Sequence, residues 1–189
     1  MSEAFRSDYR MTLEAFHAFT EDRPDSEKWE LVDGEAIMQA TPARRHQRIV
    51  QNLSFELDSI RRATDAQWEI FAGIGTRVAR DNHNEMVPDV MIAPPGDDLS
   101  NHTFEMWVAF EVLSPGSVRR DMVRKRDFYT RVESLTHYFV LAQDRREVTV
   151  FARADGFTRR TLTADDRLGI PTLSIDVPLA EIYRGIPLG

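Results

Sequence analysis

The chain has 189 residues, 42% of them apolar, with a formal charge of −7 and no cysteine. That length suits one compact domain over residues 1–189. The missing thiols exclude a disulfide framework and a thiolate metal centre, so any coordination falls to oxygen and nitrogen. No stretch approaches the roughly 18 apolar residues of a membrane span, and residues 1–10 lack an apolar signal core. A soluble, cytoplasmic protein without a membrane partner is expected.

An acidic sum runs against a nucleic-acid partner, because such domains usually carry a basic surplus that neutralises phosphates. Distribution matters more than the sum. Arg44, Arg45 and Arg48 form one basic group, and Arg119, Arg120, Arg124, Lys125 and Arg126 another. Lys28 and Lys125 are the only lysines.

In chain order, residues 13–20 read as a short helix, ended by a loop that contains Pro24. Residues 29–32 and 35–39 flank Asp33-Gly34, the two-residue signal of a type I′ hairpin. Thr41 is then expected to cap a helix, with Pro42 at its first position, running to about residue 62. His46, Ile49, Leu53, Leu57 and Ile60 recur at spacings of three and four, which lines one inward face. Strands are expected at 68–71, 74–78 and 87–93. The run 107–113 is apolar on both faces except for Glu111, as in a central strand covered on two sides. Ser114-Pro115-Gly116-Ser117 breaks it. A second long helix follows over 118–132, then strands at 137–141, 148–152 and 157–162, and a terminal helix at 179–183.

Four ionisable side chains occupy positions that periodicity assigns to the interior. Asp89 leads an apolar run and Glu111 interrupts another, and an unpaired buried carboxylate is costly enough to need a cation or donors. On the second long helix the stripe Val118, Met122, Lys125, Tyr129, Val132 sets an ammonium where an apolar residue belongs. Asp121 stands one turn before Lys125, close enough to pair with it. His46 leads the stripe of the first long helix. Singly, each has a plainer reading: a strand-start carboxylate on backbone donors, a snorkelling lysine, a hydrogen-bonded core histidine, solvated arginine faces. Jointly, two acids on strands beneath a lysine and a histidine on covering helices point to a site.

Pro88-Asp89, then Glu111-Val112-Leu113-Ser114-Pro115, then Asp121, Lys125 and Tyr129, resemble the Uma-two family of restriction-endonuclease-like proteins within the PD-(D/E)XK superfamily. The hairpin Trp29-Glu30-Leu31-Val32-Asp33-Gly34-Glu35 and His46 also match, so the resemblance spans about residues 13–151. In one departure from the superfamily pattern, Leu113 stands where the strand lysine belongs, and Lys125 matches the lysine that the family carries on the next helix.

The resemblance implies an α/β fold of restriction-endonuclease-like type, a mixed central β-sheet flanked by helices. It implies Mg²⁺ or Mn²⁺ held by Asp89, Glu111 and the backbone carbonyl of Val112, with Lys125 positioning or activating the attacking water. His46 and Glu30 become further site residues. The substrate class is nucleic acid, DNA above RNA, with Arg44, Arg45, Arg48, Arg119, Arg120 and Arg124 on backbone phosphates. A homodimer would let one domain cut both strands. Two other readings compete. A non-catalytic nuclease-fold binding domain fits the negative charge but has no need of buried carboxylates, and a carboxylate-pair sugar hydrolase explains neither Lys125 nor the arginines.

Overall fold

The computed structural model describes residues 10–24, 26–96, 102–113 and 119–188, without the side chains of residues 119–122. The expected break at Ser114-Pro115-Gly116-Ser117 and the stripe position Val118 lie outside these residues, as do the side chains of Arg119, Arg120, Asp121 and Met122.

Helix α1 (Leu13–Glu21) is capped by Thr12, whose hydroxyl accepts from the Ala15 N–H. Strands β1 (Trp29–Val32) and β2 (Glu35–Met38) form the expected hairpin. Asp33 at φ 51° and Gly34 at φ 80° give its turn the two left-handed residues a type I′ geometry requires. Helix α2 (Arg44–Thr64) begins two residues later than expected. Ala43, still extended, occupies the cap position and offers no side-chain acceptor, so the Thr41 cap and the first-turn Pro42 are both corrected. A side chain caps only from the residue next to the helix, and here the buried stripe Ile49, Leu53, Leu57 anchors the 21-residue helix without one.

The main sheet has six strands in the order β10-β9-β8-β7-β5-β3. They are β3 (Glu69–Phe71), β5 (Val90–Ala93), β7 (Val108–Val112), β8 (His137–Leu141), β9 (Glu147–Ala152) and β10 (Arg159–Thr163). Only β7 and β8 run parallel; every other pair is antiparallel. Between them stands α3 (Arg119–Tyr129), making a β7-α3-β8 crossover unit. The expected strand at 74–78 contracts to β4 (Gly75–Thr76), which pairs with an unexpected two-residue β6 (His102–Thr103). A second unexpected hairpin, β11 (Arg167–Ile170) and β12 (Ile175–Pro178), precedes the single turn α4 (Leu179–Ile182).

Two apolar layers sandwich the sheet. On one face, Ile49, Leu53 and Leu57 of α2 meet Val90, Phe110 and Leu141, joined by Leu168, Ile170, Ile175 and Val177 of the β11–β12 hairpin. On the other, Phe128, Tyr129 and Val132 meet Met91, Ala109 and Tyr138. Strand β7 is buried throughout, as a strand covered on both faces must be. Among the described residues no helix is long and apolar enough to cross a membrane.

Candidate active site

Strand register brings the two predicted acids together. Val90 faces Phe110 across the β5–β7 ladder, so one further step sets Asp89 opposite Glu111 at the open end of the pair. Asp89 is held from two sides. Its Oδ2 accepts from the Val112 N–H at 2.8 Å, and its Oδ1 lies 3.1 Å from Nε2 of His46, the first inward residue of α2.

Lys125 arrives from α3. Its Nζ donates to Glu111 Oε1 at 2.9 Å and sits 3.1 Å from Oε1 of Glu30 on β1. Tyr129, one turn on, donates its hydroxyl to the same Glu111 oxygen at 2.7 Å. Glu30 is almost wholly buried, and its carboxylate also takes the Val87 N–H at 3.0 Å and the Gln39 amide. One ammonium therefore serves two carboxylates, with a third nearby.

The electrostatics follow from that crowding. Burial pushes the Glu111 carboxyl up to about 8 against the opposing pull of Lys125, and the negative charges of Asp89 and Glu30 add to the rise. For Asp89 burial acts in the same upward sense, yet the hydrogen bond and charge of His46, the Val112 N–H and Lys125 outweigh it, and the group titrates below the usual range. Burial alone would lower Lys125, but Glu111 and Glu30 raise it above the ordinary lysine value. Burial and the same two carboxylates raise Tyr129. Two neighbouring carboxyls are thus driven apart in acidity by their surroundings, a pattern concentrated at reactive sites.

All five residues read as candidates from sequence, Asp89, Glu111, Lys125, His46 and Glu30, converge here. Arg44, Arg45 and Arg48 are exposed on the opening turns of α2, beside His46, and Arg124 is exposed next to Lys125. Among the described residues none of these four has an acidic partner. Arg61, Arg62, Arg131 and Arg167, elsewhere on the surface, each do. Sequence reasoning missed two contributors. Tyr129 was read as a stripe residue and as part of the family resemblance but given no site role, although its spacing of four from Lys125 foretold a shared face, and Gln39 was read only as the last residue of a hairpin strand.

The donor set suits a hard cation. Mg²⁺ takes one or two carboxylates and fills its octahedron with water and phosphate oxygens. Among the described residues no three His, Asp or Glu side chains form a ready-made cage, and such a metal requires none. A further oxygen comes from the backbone. In β7 the Val112 N–H leaves toward β5, to Asp89, and the carbonyl of a strand residue leaves on the same side. The continued register sets Val112 opposite Pro88, which has no N–H to give. That carbonyl thus faces Asp89 without a ladder donor.

A model of the Uma2 family, described as "Putative restriction endonuclease", matches residues 13–180. The chain belongs to the Uma2 family. A crystal structure of "a putative nuclease belonging to DUF820" from Anabaena variabilis ATCC 29413 is similar to it with a TM-score of 0.74, at 14% identity, over 92% of this chain and 97% of that one. At that identity the likeness speaks for a shared nuclease fold, not for shared residues. No curated protein matches the chain. The Uma2 assignment and the nuclease fold agree with the resemblance drawn from Pro88-Asp89, Glu111 and Lys125.

Proposed function

We propose that the protein is a metal-dependent endonuclease that hydrolyses phosphodiester bonds of nucleic acid, with DNA as the substrate, and that it acts as one domain. The observation that carries the reading is the pairing of Asp89 with Glu111 at the end of β7 while Lys125 holds Glu111 at 2.9 Å. Membership of the Uma2 family supports it.

Asp89, Glu111 and the Val112 carbonyl would hold Mg²⁺ or Mn²⁺, which supplies charge neutralisation at the phosphate and acidifies a bound water. His46 keeps Asp89 ionised and fixes its rotamer. Tyr129 fixes Glu111 through Oε1, and Oε2 is the oxygen that would turn to the metal. Lys125, with its raised affinity for a proton, stays cationic. It positions the attacking water and offsets charge on the phosphoryl oxygens as the new P–O bond forms and the bond to the leaving oxygen breaks. Glu30 gives Lys125 a second anchor at 3.1 Å. Arg44, Arg45, Arg48 and Arg124 contact flanking phosphates, giving affinity without sequence information.

The test is cleavage of plasmid and single-stranded DNA with Mg²⁺ or Mn²⁺, comparing the unaltered chain with Glu111→Ala and Lys125→Ala. Metal-dependent nicking lost in both variants is expected. Absence of cleavage on any DNA or RNA, together with no stabilisation by either metal, would replace this reading with a non-catalytic binding domain.

A further inference from the structure

We propose that Lys28, at the open end of the β1–β2 hairpin, binds a backbone phosphate of the nucleic acid on the β3 side of the scissile bond; this rests on the nuclease reading above.

Three relations place Lys28 at the corner of the sheet where Asp89 stands. Leu31 pairs with Glu85 in an antiparallel bridge, and the Val87 N–H reaches Glu30, so residues 85–87 run alongside β1. Carried on, that register sets Lys28 beside Pro88, the residue before Asp89. Strand β3 arrives at the same corner. Phe71 faces Met91, and two further steps bring Gly73 level with Asp89. Lys28 and Gly73 do meet: a Cβ added at Gly73 would stand 3.8 Å from Lys28 Nζ and would touch nothing else within 4 Å. The backbone beneath Lys28 is held, because its carbonyl accepts from the Gln39 N–H at 2.8 Å while the Gln39 amide holds Glu30. Lys28 and Glu30 are two residues apart, so both side chains leave the same face of the strand.

The ammonium is free to take a ligand. Lys28 is exposed, and among the described residues no carboxylate pairs with it. Glu27, its neighbour in sequence, is engaged by the Trp29 indole N–H at 2.9 Å. Gly73, at φ 81° and without a side chain, leaves the space beside the ammonium open. A compact ammonium on a flexible stem meets a phosphate oxygen as a point charge. Position gives this charge a use that an ordinary surface lysine lacks. Helix α3, which carries Arg124, packs over Ala109, Tyr138 and Phe151, on the β8 side of the acids, whereas Lys28 stands on their β3 side. A strand of nucleic acid crossing the end of the sheet from β8 to β3 would set its scissile phosphate over Asp89 and Glu111, between the two cations.

The experiment measures binding of a short fluorescein-labelled DNA duplex by the full chain with Ca²⁺ in place of Mg²⁺, for the unaltered protein, Lys28→Gln, Lys28→Arg and Arg160→Gln, followed by steady-state cleavage with Mg²⁺. Arg160 is the control: it is exposed on β10, three strands from β7, and its loss changes the net charge equally. Lys28→Gln should lower the slope of log affinity against log salt by about one and weaken binding about five- to ten-fold at about 0.1 M salt. It should raise KM and keep kcat within about two-fold, because a flanking phosphate is held equally in the ground and transition states. Lys28→Arg should keep the slope, and Arg160→Gln should leave both affinity and slope as they are. Unchanged affinity in Lys28→Gln, an equal loss in Arg160→Gln, a loss that Lys28→Arg shares, or a fall in kcat at unchanged KM would each overturn the contact. Failure of the unaltered chain to bind or cleave any nucleic acid would instead overturn the nuclease reading and the contact with it, a result visible without any variant.

Discussion

Replacing Lys125 by methionine tests the electrostatic core of the site. The substitution keeps the length of the side chain and deletes the ammonium, leaving Glu111 and Glu30 without the cation that sits 2.9 and 3.1 Å from them. Removing one partner of a buried ion pair costs about 3–5 kcal/mol. The low end applies here, because Tyr129 keeps its hydrogen bond to Glu111 and Glu111, already pushed up to about 8, absorbs part of the imbalance by holding a proton. For a chain of this size about 3 kcal/mol lowers the melting temperature by about 6–12 °C. The assay is circular-dichroism melting at pH 7 in EDTA. Adding Glu30→Gln to Lys125→Met should recover part of the loss, since one of the stranded carboxylates then disappears, and a double-mutant cycle reads that coupling directly. A single variant that melts within about 1 °C of the unaltered chain, or a double variant no more stable than the single, would refute the account of Lys125 as the cation shared by both acids.

Three other substitutions follow from the geometry. Tyr129→Phe removes the 2.7 Å bond to Glu111 and should cost about 1.5–3 kcal/mol, read as a lower urea midpoint at unchanged slope. Gly34→Ala should cost at least about 2 kcal/mol in the same titration, because Gly34 has φ +80° and a Cβ there would stand 2.7 Å from Arg10 Cβ. Asp81, which burial would raise, is held below its ordinary value by the His83 N–H, Asn84 and Arg131. A depressed folded pKa means its contribution is complete above the unfolded value of about 3.9 and is lost as pH falls through the folded one. The melting temperature of Asp81→Asn should therefore fall less steeply below pH 4 than that of the unaltered chain.

The parts of the fold legible in the sequence are those where one local rule dominates. Asp33-Gly34 specified a turn that only left-handed residues make, and the His46-to-Leu57 stripe specified which face of α2 turns inward. Glu111 was legible because a carboxylate inside an apolar run has no cheap alternative. The start of α2 was misread because a good capping residue, Thr41, lies two positions from where the backbone turns. The β11–β12 hairpin was missed although Leu168, Ile170, Ile175 and Val177 alternate as a buried strand pair should; each run is only four residues long, too short for its period to stand out.

The placement of Lys125 over Glu111 has a topological explanation. Leu113, where a strand lysine is expected, points to the same face as Glu111, two residues on and about 7 Å away. The chain leaving β7 must cross to the parallel strand β8, and the helix that carries it packs over the face between them. That face is the one Glu111 occupies, since Ala109, Tyr138 and Tyr129 share one core layer. Inward residues of the second half of α3 therefore hang above Glu111, as the contacts from Lys125 at 2.9 Å and Tyr129 at 2.7 Å show. A helix lysine approaches from above the sheet rather than along the strand, so it reaches Glu111 and the β1 carboxylate Glu30 together. On this account Glu30 is the companion of Lys125: it shares an ammonium that would otherwise belong to Glu111 alone.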